Sequence, residues 1–193
     1  MMKILRAVSS LFLDFIETIV IGLSMFLVVY LFLLQPHQVN GQSMVPNFQS
    51  GDYLLTDKIS YKIGLPERGD VVVFHAPPAA GCPEGTGCDF IKRVLALPGE
   101  TVAVTNNQII VNGEPLPEPY IPASYETLPG AATKNTIITL GPDEYFVSGD
   151  NRPYSSDSRA WGAITSQDIV GKAFFRYWPF DQAGSIPKVI YTF

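Results

Sequence analysis

Apolar residues run almost unbroken through the first part of this chain and become intermittent after it. Residues 19–34 form an apolar run of 16 residues, about 24 Å as a helix; carried back to residue 11 the run is 24 residues and about 36 Å, enough to cross a bilayer. A membrane-spanning helix is therefore expected over residues 11–35, after a short segment at residues 1–10. Asp14 and Glu17 fall in its first turns, at headgroup depth, where a carboxylate costs far less than at mid-membrane. A cleaved signal peptide would be shorter and would end on a small-x-small site, which Gln35-Pro36-His37-Gln38-Val39-Asn40 does not offer.

Beyond residue 35 the apolar positions come in short runs of Val, Ile, Thr, Tyr and Phe, and Gly and Pro are abundant at 16 each. Strands are expected at 53–55, 71–74, 90–97, 101–104, 108–111, 145–148 and 169–177. Asn106-Asn107 and Asn112-Gly113 carry the chemistry of tight hairpin turns, so neighbouring strands should pair antiparallel. Residues 76–87 and 114–130 are rich in Pro, Gly and Ala without periodicity and are expected as surface loops. With 193 residues there is room for one domain. The expected fold class is mainly β: an antiparallel sheet domain over residues 36–193, hung on one N-terminal transmembrane helix.

Charge sets the orientation. Lys3 and Arg6 precede the apolar run, and no Lys or Arg occurs from residue 7 to residue 57. The positive-inside rule then keeps residues 1–10 in the cytoplasm and puts residues 36–193 outside, at the cell (plasma) membrane. A net charge of -5 excludes nucleic acid as partner, because phosphate binding needs a basic face. Ser43 follows Leu34 by nine residues, which holds it within about 30 Å of the lipid. Such a tether selects substrates that are themselves membrane-bound.

The candidate chemistry begins at Ser43, in Gly41-Gln42-Ser43-Met44-Val45-Pro46. A serine hydroxyl needs a base within hydrogen-bond reach, and neither His37 nor His75 has the setting of a triad base. An amine can serve when it is uncharged, a condition that burial supplies. Lys92, in Phe90-Ile91-Lys92-Arg93-Val94, shares a strand face with Phe90 and Val94, while Arg93 shares the other with Ile91 and Leu95. Both faces are apolar, so alternation does not say which cation is buried; the preference for Lys92 is chemical, because arginine does not lose its proton in a protein. A third block, Gly149-Asp150-Asn151-Arg152-Pro153-Tyr154-Ser155-Ser156-Asp157-Ser158-Arg159-Ala160-Trp161-Gly162, reads equally as a solvated polar turn and as part of a site.

Four blocks in this order resemble bacterial type I signal peptidase (leader peptidase), a membrane-bound Ser/Lys endopeptidase. They are the Ser43 string, Gly51-Asp52-Tyr53-Leu54-Leu55, Arg68-Gly69-Asp70-Val71-Val72-Val73-Phe74 with residues 90–99, and residues 149–162. The resemblance implies cleavage of N-terminal signal peptides from exported preproteins after Ala-x-Ala-like sites, with Ser43 as nucleophile and Lys92 as general base. It implies that Ser155 orients the lysine amine, that Asp157 and Arg159 form a supporting pair for the glycine-rich loop, and that Asp150 is structural support. No metal or organic cofactor is implied. The partners would be preproteins at the membrane, the lipid bilayer and the export machinery.

Some members carry a serine two residues before the nucleophile as a side-chain oxyanion donor; here that place is Gly41, which leaves the Ser43 backbone N–H as the principal donor. Cys82 and Cys88 fall on the side of the membrane where a disulfide persists, and their compartment and number favour a bridge. Two cysteines with no neighbouring histidine make an incomplete zinc set. His37 and His75 are expected at the surface or in loops. Among the aromatic residues, Phe48 is the expected lipid contact, with Tyr177-Trp178-Pro179-Phe180 as a second apolar patch. Two rival readings are a Ser/Lys peptidase with a narrow client and an inactive membrane-tethered binding domain, in which Lys92 would titrate as an ordinary lysine.

Overall fold

In the computed structural model, which describes residues 2–82 and 88–191, a long helix leads without a linker into a β domain. Helix α1 (Met2–Val28) passes through a π-helical turn, Val29–Leu33, into strand β1 (Leu34–Gln38). Every side chain from Leu11 to Tyr30 is exposed, and an apolar helix uncovered on all faces has the pattern of a membrane span. Helical structure thus starts at Met2 rather than at residue 11. The expected nine-residue tether is also partly ordered. Pro36 lacks an N–H, which an edge strand tolerates, and β1 pairs antiparallel with β2 (Tyr53–Asp57) from Leu34↔Asp57 to Gln38↔Tyr53. Lys58 N–H donates to the Leu33 carbonyl at 3.0 Å, closing the junction.

After the short helix α2 (Ser60–Ile63) come β3 (Val71–His75), β4 (Asp89–Ala96), β5 (Thr101–Thr105), β6 (Gln108–Val111), β7 (Glu114–Pro115), β8 (Ile138–Thr139) and β9 (Glu144–Ser148). Helix α3 (Ser158–Trp161), β10 (Ile164–Thr165), β11 (Ile169–Trp178) and β12 (Gly184–Ser185) complete the order. The larger sheet runs β1-β2-β11-β3-β4-β9-β10, with β12 on β11; the smaller runs β7-β6-β5-β8. All pairings are antiparallel. Each of the seven expected strands forms, with ends moved by a residue or two. Asn106 and Asn107, at φ 50° and 60°, make the two-residue β5–β6 hairpin, and Asn112-Gly113, at 54° and 87°, makes the β6–β7 hairpin.

Residues 114–130 are not simply a surface loop. Glu114–Pro115 forms β7, and Leu116 and Thr127 are buried. Leu116 N–H continues the hairpin to the Ile109 carbonyl, and Thr127 Oγ1 accepts from Arg152. Of the loop expected at 76–87, residues 83–87 lie outside the described residues; Cys82 and Cys88 on either side are disulfide-bonded, with Cα atoms 6.0 Å apart.

Two hydrophobic clusters position the site. Val72, Phe74, Val94, Tyr145, Val147 and Ile164 hold the centre of the larger sheet. Val39, Met44, Phe48, Leu54, Val71 and Ala173 form a second cluster beneath the turn that follows β1. Phe48, expected at the lipid, is therefore a core residue, 3% exposed. Its N–H donates to the Met44 carbonyl at 2.9 Å, so the two side chains lie one turn apart and enter the core together. Trp178 and Phe180 are exposed, and their rings meet edge-on 4.6 Å apart at the end of β11.

Candidate active site

The turn at residues 41–47 is pinned from below by Met44 and Phe48 and leaves Ser43 half-buried at the mouth of a cleft of about 510 Å³. One wall comes from β1 and its continuation, His37 to Gly41; the other is the first half of β4, Asp89 to Lys92, with Leu54 and Val73 in the floor. Both walls are strand edges. β1 ends the sheet, and β9 joins β4 only from Arg93 onward.

Register brings the nucleophile and the base together. Lys92 lies opposite Val72 in the β3–β4 ladder, and Arg93 lies opposite Val71 on one side and Ser148 on the other. The Lys92 Nζ is 2.8 Å from Ser43 Oγ and donates to the Ile91 carbonyl at 3.0 Å. Lys92 is 4% exposed. Desolvation pulls its amine down to about 8, against the opposing pull of the Asp157 and Asp150 carboxylates. A fraction of the amine is then neutral near physiological pH and able to accept the Ser43 proton.

Arg93, the neighbour that sequence could not rank, is equally buried. It forms a two-point ion pair with Asp150, at 2.9 and 2.7 Å, and its guanidinium lies 4.3 Å from the centre of the Tyr120 ring. Asp150 also accepts from Asn47 Nδ2 at 2.8 Å, which ties the end of the nucleophile turn to the 149–162 loop.

In that loop Asp157 is fully buried and takes Arg159 Nε at 2.8 Å and Nη2 at 2.9 Å. Burial alone would raise the Asp157 carboxyl, but hydrogen bonds from Arg159, Ser148 and Ser155 hold it below the ordinary carboxylate value. Asp157 also caps α3, accepting the Arg159 N–H, and receives Gly149 N–H at 3.2 Å. Ser155 departs from expectation. Its Oγ accepts from Gly149 N–H at 3.2 Å, whereas the hydrogen bonds of the Lys92 amine go to Ser43 and Ile91.

Sequence reading passed over three residues. Arg152 is buried against Glu118, Nη1 to Oε2 at 2.8 Å, and donates from Nε to the Gly149 carbonyl at 2.9 Å. Asn151 is bonded to the nucleophile turn by both main chain and side chain. Its signal was its place in the Gly149 block; Glu118, in a Pro-rich stretch, offered none. His37 is not a surface group either. It sits in β1 on the cleft wall, Nδ1 2.9 Å from the Thr56 hydroxyl, and burial lowers its pKa despite the Asp89 carboxylate. His75 is exposed at the end of β3, 2.7 Å from Asp89.

The description "Signal peptidase, peptidase S26" fits residues 12–178, most of the chain and all of the site. The chain belongs to the signal peptidase family S26. Similar members include a signal peptidase I of Leptolyngbya laminosa, 37% identical over 89% of this chain and 82% of that one. A probable signal peptidase I-1 of Synechocystis is 39% identical over 89% and 85%, and signal peptidase IB of Staphylococcus aureus is 36% identical over 88% and 91%. The enzymes of this family are serine endopeptidases, and within this S26 chain the open cleft, the bonded serine and the buried amine converge on one point.

Proposed function

We propose that this chain is a membrane-anchored serine endopeptidase that removes N-terminal signal peptides from exported preproteins, cutting after Ala-x-Ala-like sites. Ser43 is the nucleophile and Lys92 the general base. The observation that carries the reading is the buried Lys92 amine, held down to about 8 and 2.8 Å from Ser43 Oγ at the edge of an open cleft.

Neutral Lys92 takes the Ser43 proton as Oγ attacks the scissile carbonyl, and returns it to the leaving amine as the bond breaks. The acyl-enzyme is then hydrolysed by water activated by the same amine. The Ser43 backbone N–H faces the developing oxyanion. Two free strand edges line the cleft, so an extended peptide binds by adding a strand between them. Asp157, Arg159, Asp150 and Ser155 act on the chemistry by fixing the loop beside it.

The span runs from residue 11 to the end of the helix at Leu33, residues 1–10 lie in the cytoplasm and residues 34–193 outside it, at the plasma membrane. Trp178 and Phe180 rest in the headgroup layer, where amphipathic aromatics concentrate. Substrates are preproteins still held by their signal sequence as the export machinery delivers them. The test is cleavage of a detergent-solubilised preprotein by wild type, Ser43→Ala and Lys92→Ala, with folding checked by thermal unfolding. Cleavage by wild type alone is expected; processing by either variant, or none by a folded wild type, removes the assignment.

A further inference from the structure

Besides the Asn47–Asp150 bond, the 149–162 loop donates two hydrogen bonds to the main chain of the nucleophile turn, and both come from Asn151. Its N–H donates to the Ser43 carbonyl at 2.9 Å, and its side-chain Nδ2 donates to the Gln42 carbonyl at 2.9 Å. The side chain is 5% exposed, and its Oδ1 is buried with no partner among the described residues. The amide orientation follows from the Gln42 contact, since the reverse assignment would set two acceptors against each other.

The Gln42 carbonyl and the Ser43 N–H belong to one planar peptide group, with its two polar bonds pointing in opposite directions. Whatever fixes the oxygen therefore aims the N–H. Local restraint on this group is weak. Gln42 is exposed, and the other bond to its carbonyl oxygen is a longer turn contact from Val45 N–H at 3.3 Å. The same N–H carries the oxyanion without help from a side chain at position 41, so its direction matters more here than where a second donor exists. A hydrogen bond accepted at the carbonyl also polarises the peptide group and strengthens its N–H as a donor.

We infer that Asn151 is a positioning residue of the oxyanion hole: its side-chain amide holds the Gln42–Ser43 peptide so that the Ser43 N–H points at the developing charge. This rests on the reading of Ser43 as nucleophile. The buried, unpartnered Oδ1 accords with it, because an amide placed for stability alone would have both ends satisfied.

The test compares wild type, Asn151→Ala and Asn151→Ser in detergent on a preprotein-derived peptide and on a peptide boronate of matching sequence. In the boronate reaction a bond forms from Ser43 Oγ to boron, which becomes tetrahedral and anionic. The serine proton passes to the Lys92 amine, and one boron oxygen sits where the oxyanion would form. Expected for both variants is a fall in kcat of about 10–10²-fold, part of the effect of losing an oxyanion donor outright. KM should be unchanged, the alkaline rise in rate should keep its midpoint, and boronate affinity should fall by the same factor as kcat while product-peptide affinity holds. A kcat within about threefold of wild type, or a fall carried by KM or by a moved midpoint, overturns the inference. So does failure of both variants to fold, which would make Asn151 a purely structural residue. A wild type that neither cleaves nor captures the boronate overturns the reading of Ser43 and this inference with it. A fully active wild type with equally active variants overturns this inference alone.

Discussion

Lys92 and Arg93 are consecutive residues of one strand, both buried, yet only Arg93 is given an ion partner. Strand alternation turns them to opposite faces. Arg93 meets the Asp150 carboxylate; among the described residues no carboxylate lies within ion-pair distance of Lys92, whose amine meets a hydroxyl and a carbonyl. One cation is kept charged and the other is made able to lose its proton.

From this difference comes a pH profile. With the Lys92 amine near 8, its neutral fraction falls tenfold for each pH unit below that value, so kcat/KM should rise with slope one on a logarithmic plot and level off above about pH 8. Lys92→Arg should be inactive at every pH, since a guanidinium stays protonated. Steady-state rates from pH 6 to 10 decide it; a flat profile would remove the amine as base.

Arg93→Ala should act twice. Breaking a buried pair strands the Asp150 charge and typically costs about 3–5 kcal/mol, to be read from denaturant unfolding of the detergent-solubilised protein. The uncompensated carboxylate, which already favours the charged form of Lys92, should also move the rise in activity to higher pH. A stability loss with an unmoved profile would mean that Arg93 serves the fold alone.

Gly149 is required for space. A Cβ there would come within 2.3 Å of both the Ser43 carbonyl oxygen and Ser155 Oγ, so the loop or the nucleophile turn must shift. A displacement of about 1 Å at a reacting group can cost about 10²-fold, and Gly149→Ala should lose at least that in kcat. Gly184→Ala, with open space at its Cβ, is the matched control and should retain full activity.

Trp178 and Phe180 allow the lipid contact to be separated from the chemistry. Replacing both with serine should lower cleavage of a preprotein embedded in vesicles several-fold, while cleavage of a short soluble peptide stays at the wild-type rate. Equal loss on both substrates would place the pair in the domain's own stability.

Much of the fold could be read from alternation and turn chemistry. The seven strands and both Asn-containing hairpins follow from periods and residue types that act over a few positions, and the apolar helix from length alone. Ser43 and Lys92 were legible as chemical types. Three-dimensional partners were not. Phe48 has the composition of a lipid contact and lies in the core because Met44, one turn earlier, points the same way. Alternation could not say what Arg93 does on its face of the strand; its partner Asp150 lies 57 residues on. Glu118 and Arg152 meet across 34 residues with no local pattern in either segment. The Ser155 hydroxyl, assigned to the amine, accepts from Gly149 N–H at 3.2 Å, a main-chain partner with no sequence signature.

The passage from the π-helical turn straight into β1, closed by the Lys58–Leu33 hydrogen bond, gives the domain a strut where a loose chain would give it a leash. A leashed catalyst samples a range of heights and tilts and can follow its substrate. A catalyst on a strut works at one height, so the substrate must carry its cut point there. The spacing between a signal sequence's apolar core and its cleavage position is then gauged by the enzyme's own framework, and residues inserted at the helix–strand junction would recalibrate that gauge without touching a single group in the cleft.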